Sequence, residues 1–355
     1  MASDYHPTGS TPKSKRMHNR SQFDYVLGPN VPRDRRFRGA DMPYRTATQD
    51  WDVHRLPSAE GKNFLVTGGN AGIGYFVAEQ LASTGAQVIL GSRDSTKAAS
   101  AAAAIRSRVP DARVRHLRLD LAELAGLKSS VDALELDRLD AIVCNAGVLL
   151  DHPQRRADLD GRELMFATNH LGHFALTGWL APLLSAAPAG RVVTTGSFVA
   201  KSARLDLADL QVTSGYEPKD AYARSKLAQM LFAFELDRRL RAAGSTTASV
   251  VNHPGGALDL LTPSRPPVHT RTKGQWLRGL PASILLQGKH AAAWPAVRAV
   301  LDPAVRGGQM WGPRMLGLRG RPRLEPVRGA LADTALAARL WTACVDLTGL
   351  DPFAQ

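Results

Sequence analysis

A chain of 355 residues with 44% hydrophobic content has room for one large α/β domain with appendages, or for two small domains. Two cysteines, Cys144 and Cys344, exclude a disulfide framework and point to a reducing cytoplasm. No secretory signal opens the chain, and the apolar stretches around 171–184 and 281–301 are too short or too interrupted to span a membrane.

The net charge of +13 is concentrated between Pro263 and Ala330, where 12 cations stand against Asp302 and Glu325, a net of +10. Such a segment suits an acidic substrate, an anionic membrane surface or nucleic acid. No nucleic-acid motif accompanies it, so an arginine-rich solvated surface is the plainer expectation and nucleic acid is not an expected partner.

Residues 1–50 mix Pro, Gly, Ser, Arg and Asp without apolar periodicity and read as a disordered or loosely attached basic extension. From residue 62 the pattern changes. Short β-rich runs at 63–67, 87–90, 114–119, 141–144, 191–195 and 248–251 alternate with helical stretches at 72–84, 95–107, 122–134, 160–186 and 219–243. Repeated βαβ units predict one α/β domain over 51–350, a doubly wound parallel sheet of about seven strands with helices on both faces. Beyond Gly255 the regularity fades. A Pro-, Thr- and Arg-rich segment at 257–283 reads as a lid on the substrate side, followed by a helix at 289–301, an edge strand at 309–311 and a terminal helix at 330–347.

Thr67-Gly68-Gly-Asn70-Ala-Gly72-Ile73-Gly74 follows a strand and opens a helix, the context of a dinucleotide-binding turn. Gly68 permits the tight turn, Gly72 lets the backbone approach a pyrophosphate, and Gly74 allows close helix–strand packing. At the end of the second strand an acidic residue would bind the ribose of NAD, whereas an arginine accommodates the phosphate of NADP. This chain has Ser92-Arg93, so NADP(H) is expected over NAD(H), with Asp94 as a helix cap.

Tyr222 and Lys226 are one helical turn apart and project from the same face. An ammonium near a phenol favours the phenolate, the condition for a general acid or base acting on a carbonyl or alcohol oxygen. A hydroxyl from a strand end would hold that oxygen. Ser197 is chosen because it ends the fifth strand, with Ser202, Thr194 and Thr195 as competitors. His170 and His173 read as packed helix residues, and Cys144 as a small core residue.

These pieces, with Asp120-Leu121, Asn145-Ala146-Gly147, Asn169 and Pro254-Gly255, occur in an order that resembles the short-chain dehydrogenase/reductase family. Asn169-His-Leu-Gly-His-Phe174, the long interval from Ser197 to Tyr222 and His253-Pro254-Gly255 are similar to its retinol-dehydrogenase and protochlorophyllide-reductase-like branch. The resemblance implies a Rossmann-type fold, with Tyr222 as proton donor or acceptor, Ser197 on the substrate oxygen and Lys226 on the nicotinamide ribose. Asn169 would hold a relay water, Asp120 would contact adenine, and Asn145 and Gly147 would line the cofactor cleft. It also implies homo-oligomers paired through the helices at 160–186 and 219–243.

One departure is Asp259, where the family carries a threonine that binds the nicotinamide amide; Thr262 or backbone groups would substitute. The expected activity is NADP(H)-dependent interconversion of a carbonyl and an alcohol on a lipophilic or bulky substrate, with an acidic group on it as a match for the cations. The alternatives are C=C reduction, or a cofactor-binding scaffold without turnover.

Overall fold

The computed structural model describes residues 51–353; the extension expected at 1–50 lies outside the described residues. β1 (Asn63–Thr67), α1 (Gly72–Ala82), β2 (Gln87–Ser92), α2 (Ser95–Arg106), β3 (Arg113–Arg118), α3 (Leu127–Asp132) and β4 (Ala141–Cys144) form the first half of the sheet and its cover. A short α4 (Leu164–Phe166) runs through a π turn (Ala167–Leu171) into α5 (Gly172–Ser185), followed by β5 (Arg191–Thr195), α6 (Pro218–Ala242) and β6 (Ala248–Asn252). Beyond them lie α7 (Lys273–Gly279), α8 (Lys289–Ala292), α9 (Trp294–Leu301), β7 (Met310–Met315), β8 (Arg319–Glu325) and α10 (Thr334–Thr348).

The strands pair in the order β3-β2-β1-β4-β5-β6-β7-β8, parallel except for the antiparallel β7–β8 pair. Strand side chains alternate between faces, and the core divides accordingly. Leu65, Ile89, Ile142, Val192, Val251 and Met310 bury one face with Phe174, Leu231 and Trp341 of α5, α6 and α10. Their neighbours Val66, Val88, Val143, Val193, Val250 and Trp311 bury the other with α1, α2 and α9. Each such side chain contributes about 1.5–3 kcal/mol on leaving water.

Two expectations change in detail. The sheet has eight strands rather than about seven, because the edge expected at 309–311 extends to Met315 and turns back as β8. Strand β8 reads R-G-R-P-R-L-E, a sequence poor in β-formers; an edge strand tolerates its proline and its arginines discourage further pairing. The helix expected at 160–186 contains the π turn, with Asn169 at its centre. The segment at 257–283 carries α7, which opens with a Thr272–Gln275 capping box and packs Gly279 against Leu260.

Helix α10 covers the helices that the resemblance offers for self-association. Trp341 stacks on Phe232 of α6 at 5.7 Å and meets Phe174 of α5 at 5.1 Å.

Candidate active site

In an open parallel sheet the ligand crevice lies outside the carboxyl ends of the strands, where the strand order reverses. Here β1 lies between β2 and β4, and at that point opens a cleft of about 460 Å³. It is lined by Gly68, Asn70, Gly72 and Ile73 of the turn, Ser92 and Arg93 after β2, Asp120 and Leu121 after β3, and Asn145, Ala146 and Gly147 after β4. Gly68 has φ +66, a conformation that costs a side chain strain. A Cβ on Gly74 would lie 2.4 Å from both the Gly68 carbonyl and Asn145 Nδ2, so only glycine lets α1 approach the β4 loop. The N-terminus of α1 therefore faces the cleft with unpaired N–H groups, the arrangement that receives a phosphate.

At the far end, Arg93 is exposed and stands 3.9 Å from Asp120. Asp94 caps α2 by accepting from the Lys97 N–H at 2.9 Å, and that hydrogen bond holds its carboxyl below the ordinary range. Lys97 also lines the cleft; sequence reasoning missed it, although its place one turn into α2, beside Ser92-Arg93, was a readable signal. Ser92 turns its hydroxyl towards His116 on β3, at 3.3 Å.

Thr67, Asn169 and Lys226 lie behind the cleft wall. Thr67 is buried, and its hydroxyl oxygen accepts the Asn145 and Ala146 N–H groups, both at 2.9 Å. His173 Nδ1 lies 3.0 Å from the Asn169 carbonyl and Nε2 lies 2.9 Å from the Thr67 hydroxyl. A carbonyl only accepts, so Nδ1 carries the proton and Nε2 is an acceptor for the Thr67 O–H, which the Val143 carbonyl at 3.2 Å shares. His173 thus braces the end of β1 against the π turn. Burial pushes its pKa, and that of His170, down to about 3; both stay neutral, as expected of packed helix residues.

The Asn169 amide accepts from the Val148 N–H at 2.7 Å and donates to the Val148 carbonyl at 3.0 Å and the Ser225 hydroxyl at 2.9 Å. Ser225 in turn donates to the Tyr222 carbonyl at 2.7 Å. Asn169 thereby ties the β4 loop to the turn of α6 that carries the tyrosine. Tyr222 is half-buried and, with Val148, Leu150 and Tyr216, packs against the buried cluster of Met165, Val212 and Ala221.

Lys226 is almost wholly buried, and its ammonium donates to the Thr195 carbonyl at 3.2 Å and to Gln229 Oε1 at 2.8 Å. Burial lowers its pKa to about 8. A Cβ on Gly147 would lie 3.2 Å from both Lys226 Nζ and Asn169 Oδ1, so the three meet at one wall of the cleft. Gln229, unremarked in the sequence, is the side chain that orients the lysine.

Ser197 is half-buried two residues beyond β5 and precedes a 3-10 turn. Its competitors are otherwise placed. Thr194 is buried, the Thr195 hydroxyl accepts from Asn252 Nδ2 at 3.2 Å, and Ser202 donates to the Val199 carbonyl. Cys144 is buried, which pushes its thiol up to about 12 and leaves it inert.

Pro254 and Gly255 follow β6 and are tied to the β7–β8 turn through the Gly256 N–H and the Leu318 carbonyl at 2.9 Å. The Asp259 carboxylate pairs with Lys289 and is not among the residues that line the cleft. Thr262 does not fit the substitute role given to it in the sequence analysis. It is buried, donating to the Leu258 carbonyl and accepting from the Lys289 N–H, both at 2.9 Å.

The model of the short chain dehydrogenases matches residues 62–256. Mouse polyprenol dehydrogenase is 36% identical over 301 residues, covering 83% of this chain and 86% of the relative. This chain belongs to the short-chain dehydrogenase/reductase family, in its retinol-dehydrogenase-like branch. Human retinol dehydrogenase 13 is 34% identical, covering 82% and 86% of the two chains. Among solved structures, a Mycobacterium paratuberculosis protein aligns with TM-score 0.69 at 32% identity over 86% of this chain and 99% of its own. The Pseudomonas aeruginosa RhlG/NADP active-site complex aligns with TM-score 0.54 at 28% identity, covering 71% and 94%. The protein is an oxidoreductase of the alcohol/carbonyl type, and the non-catalytic scaffold gives way to that reading.

Proposed function

We propose that the protein is an NADPH-dependent oxidoreductase that interconverts a carbonyl and an alcohol on a bulky, lipophilic substrate. The observation that carries this reading is one cleft with Arg93 and Lys97 at one end and a lysine-backed wall at the other. Arg93 and Lys97 flank the end suited to an adenosine phosphate, where they stand 3.9 Å from Asp120 and 3.5 Å from Asp94, respectively, and would turn to the phosphate, and no carboxylate occupies position 92. The relatives named polyprenol and retinol dehydrogenase support the substrate class.

The residues present fit a dinucleotide: a glycine turn at a helix N-terminus, two cations at one end, and the Lys226–Asn169–Gly147 wall at the other. When bound, the nicotinamide supplies or accepts the hydride. Tyr222 gives a proton to the carbonyl oxygen in reduction, or takes it from the alcohol in oxidation. Ser197 holds that oxygen by a hydrogen bond. Lys226, kept in line by Gln229 and Thr195, binds the ribose and keeps positive charge near the phenol. Asn169 keeps the Val148 loop and the Tyr222 turn in register.

Titration of the tryptophan fluorescence with NADPH and with NADH tests the cofactor assignment. NADPH binds more tightly, and Arg93→Ala removes about tenfold or more of that preference, since a charge-assisted hydrogen bond is worth about 1.5–3 kcal/mol. Equal affinities for both cofactors would refute it. Tyr222→Phe abolishes turnover and keeps NADPH affinity; a variant that turns over normally would remove the tyrosine from the mechanism.

A further inference from the structure

Large exposed apolar side chains on a soluble protein are ordinarily scattered. Here, among the described residues, they gather at one edge of the sheet. Leu149 and Leu159 follow β4, five lie between Trp276 and Leu285 after β6, and Met315 and Leu316 form the end of β7 and the turn into β8. Strands β4 to β7 are parallel, so all these segments leave the same edge, the one at which the cofactor cleft opens. With Leu277 57%, Ile284 69% and Leu316 78% exposed, these side chains face outward and do not line a closed pocket.

Leu149 and Leu159 stand beside Asp151, Asp158 and Asp160, but cations are interleaved with the apolar side chains of α7 and the end of β7. Lys273 and Arg278 are exposed on α7, and Arg314 is exposed at the end of β7. The stretch from 263 to 301 contains no acidic residue at all. The long stems of such cations lie along apolar side chains while their charges reach outward to an anionic layer. A second copy of the same face would oppose these cations with themselves, a poor match for a twofold contact.

We propose that α7, the 3-10 turn at Pro281–Ile284 and the β7–β8 turn dock the enzyme on an anionic lipid bilayer. The apolar side chains enter the headgroup boundary and the cations pair with lipid phosphates. The mouth of the site then opens onto the membrane, so that a lipophilic substrate enters without crossing water. This last step rests on the substrate class proposed above; the docking itself does not require turnover.

Co-sedimentation of the full chain with vesicles tests the docking. The protein binds vesicles of equal phosphatidylcholine and phosphatidylglycerol and binds pure phosphatidylcholine much less. The L277S/I284S double variant lowers the partition coefficient about a hundredfold. K273Q/R278Q lowers it about tenfold at low salt, and less at high salt. NADPH titration of the same variants shows unchanged affinity, which establishes that they are folded. No binding to the mixed vesicles, or undiminished binding by L277S/I284S, would overturn the proposal. A dimer in solution that L277S/I284S dissociates would overturn it too, by showing that a second copy covers this face. Vesicle binding without NADPH binding would instead strike at the cofactor assignment and leave the docking standing.

Discussion

Replacing Lys226 by Met isolates the cost of keeping a charge inside the protein. Burial takes the ammonium from an ordinary 10.5 to about 8. Between those values the unfolded chain still holds the proton and the folded protein has released it. Stability therefore rises with pH through that window. From about pH 7 to about pH 9.5 this one group adds about 2 kcal/mol. Methionine also leaves the Thr195 carbonyl and Gln229 Oε1 without their donor, at about 1–3 kcal/mol each. That loss is the same at both pH values and cancels in the comparison. Urea unfolding of both proteins without cofactor, at the two pH values, gives the difference directly. The stability gap moves by about 2 kcal/mol in favour of the wild type at the higher pH. A gap that stays constant would refute the idea that Lys226 carries its charge in a desolvated site.

Gly74→Ala forces a Cβ to within 2.4 Å of the Gly68 carbonyl; stability falls by about 1–3 kcal/mol and NADPH affinity drops with it, in thermal unfolding and fluorescence titration. Trp341→Ala removes a ring that is 3% exposed and stacked on Phe232; thermal or urea unfolding shows a loss of about 3–5 kcal/mol. Burial alone would raise the Glu325 carboxyl, but His253 and Lys201 outweigh it and hold it at about 2. The stability it contributes is present above the ordinary 4.5 and is lost as pH falls towards about 2, so Glu325→Gln flattens the acid limb of the unfolding curve, by roughly 3 kcal/mol at most.

The alternation of short apolar strands with helices was enough, from sequence, to predict a doubly wound parallel sheet, because both signals are local: period-two burial and helix-length spacing. The glycine turn and the Ser92-Arg93 end of β2 were legible for the same reason, since each depends on a few consecutive residues. Strand β8 was not, because its arginines, glycine and proline are acceptable only on an edge that has a partner on one side, a fact of the assembled sheet. The division of labour behind the cleft was equally hidden. Nothing in the order of residues says that His173 locks Thr67 to the π turn, that Gln229 holds Lys226, or that Asp259 turns to Lys289. Those partners are separated by up to 106 residues or depend on which face of a helix is buried. Local patterns determine which elements form and which residue types can do the chemistry; only the packing of distant elements decides which hydroxyl is free, which charge is paired and which edge of the sheet is left apolar.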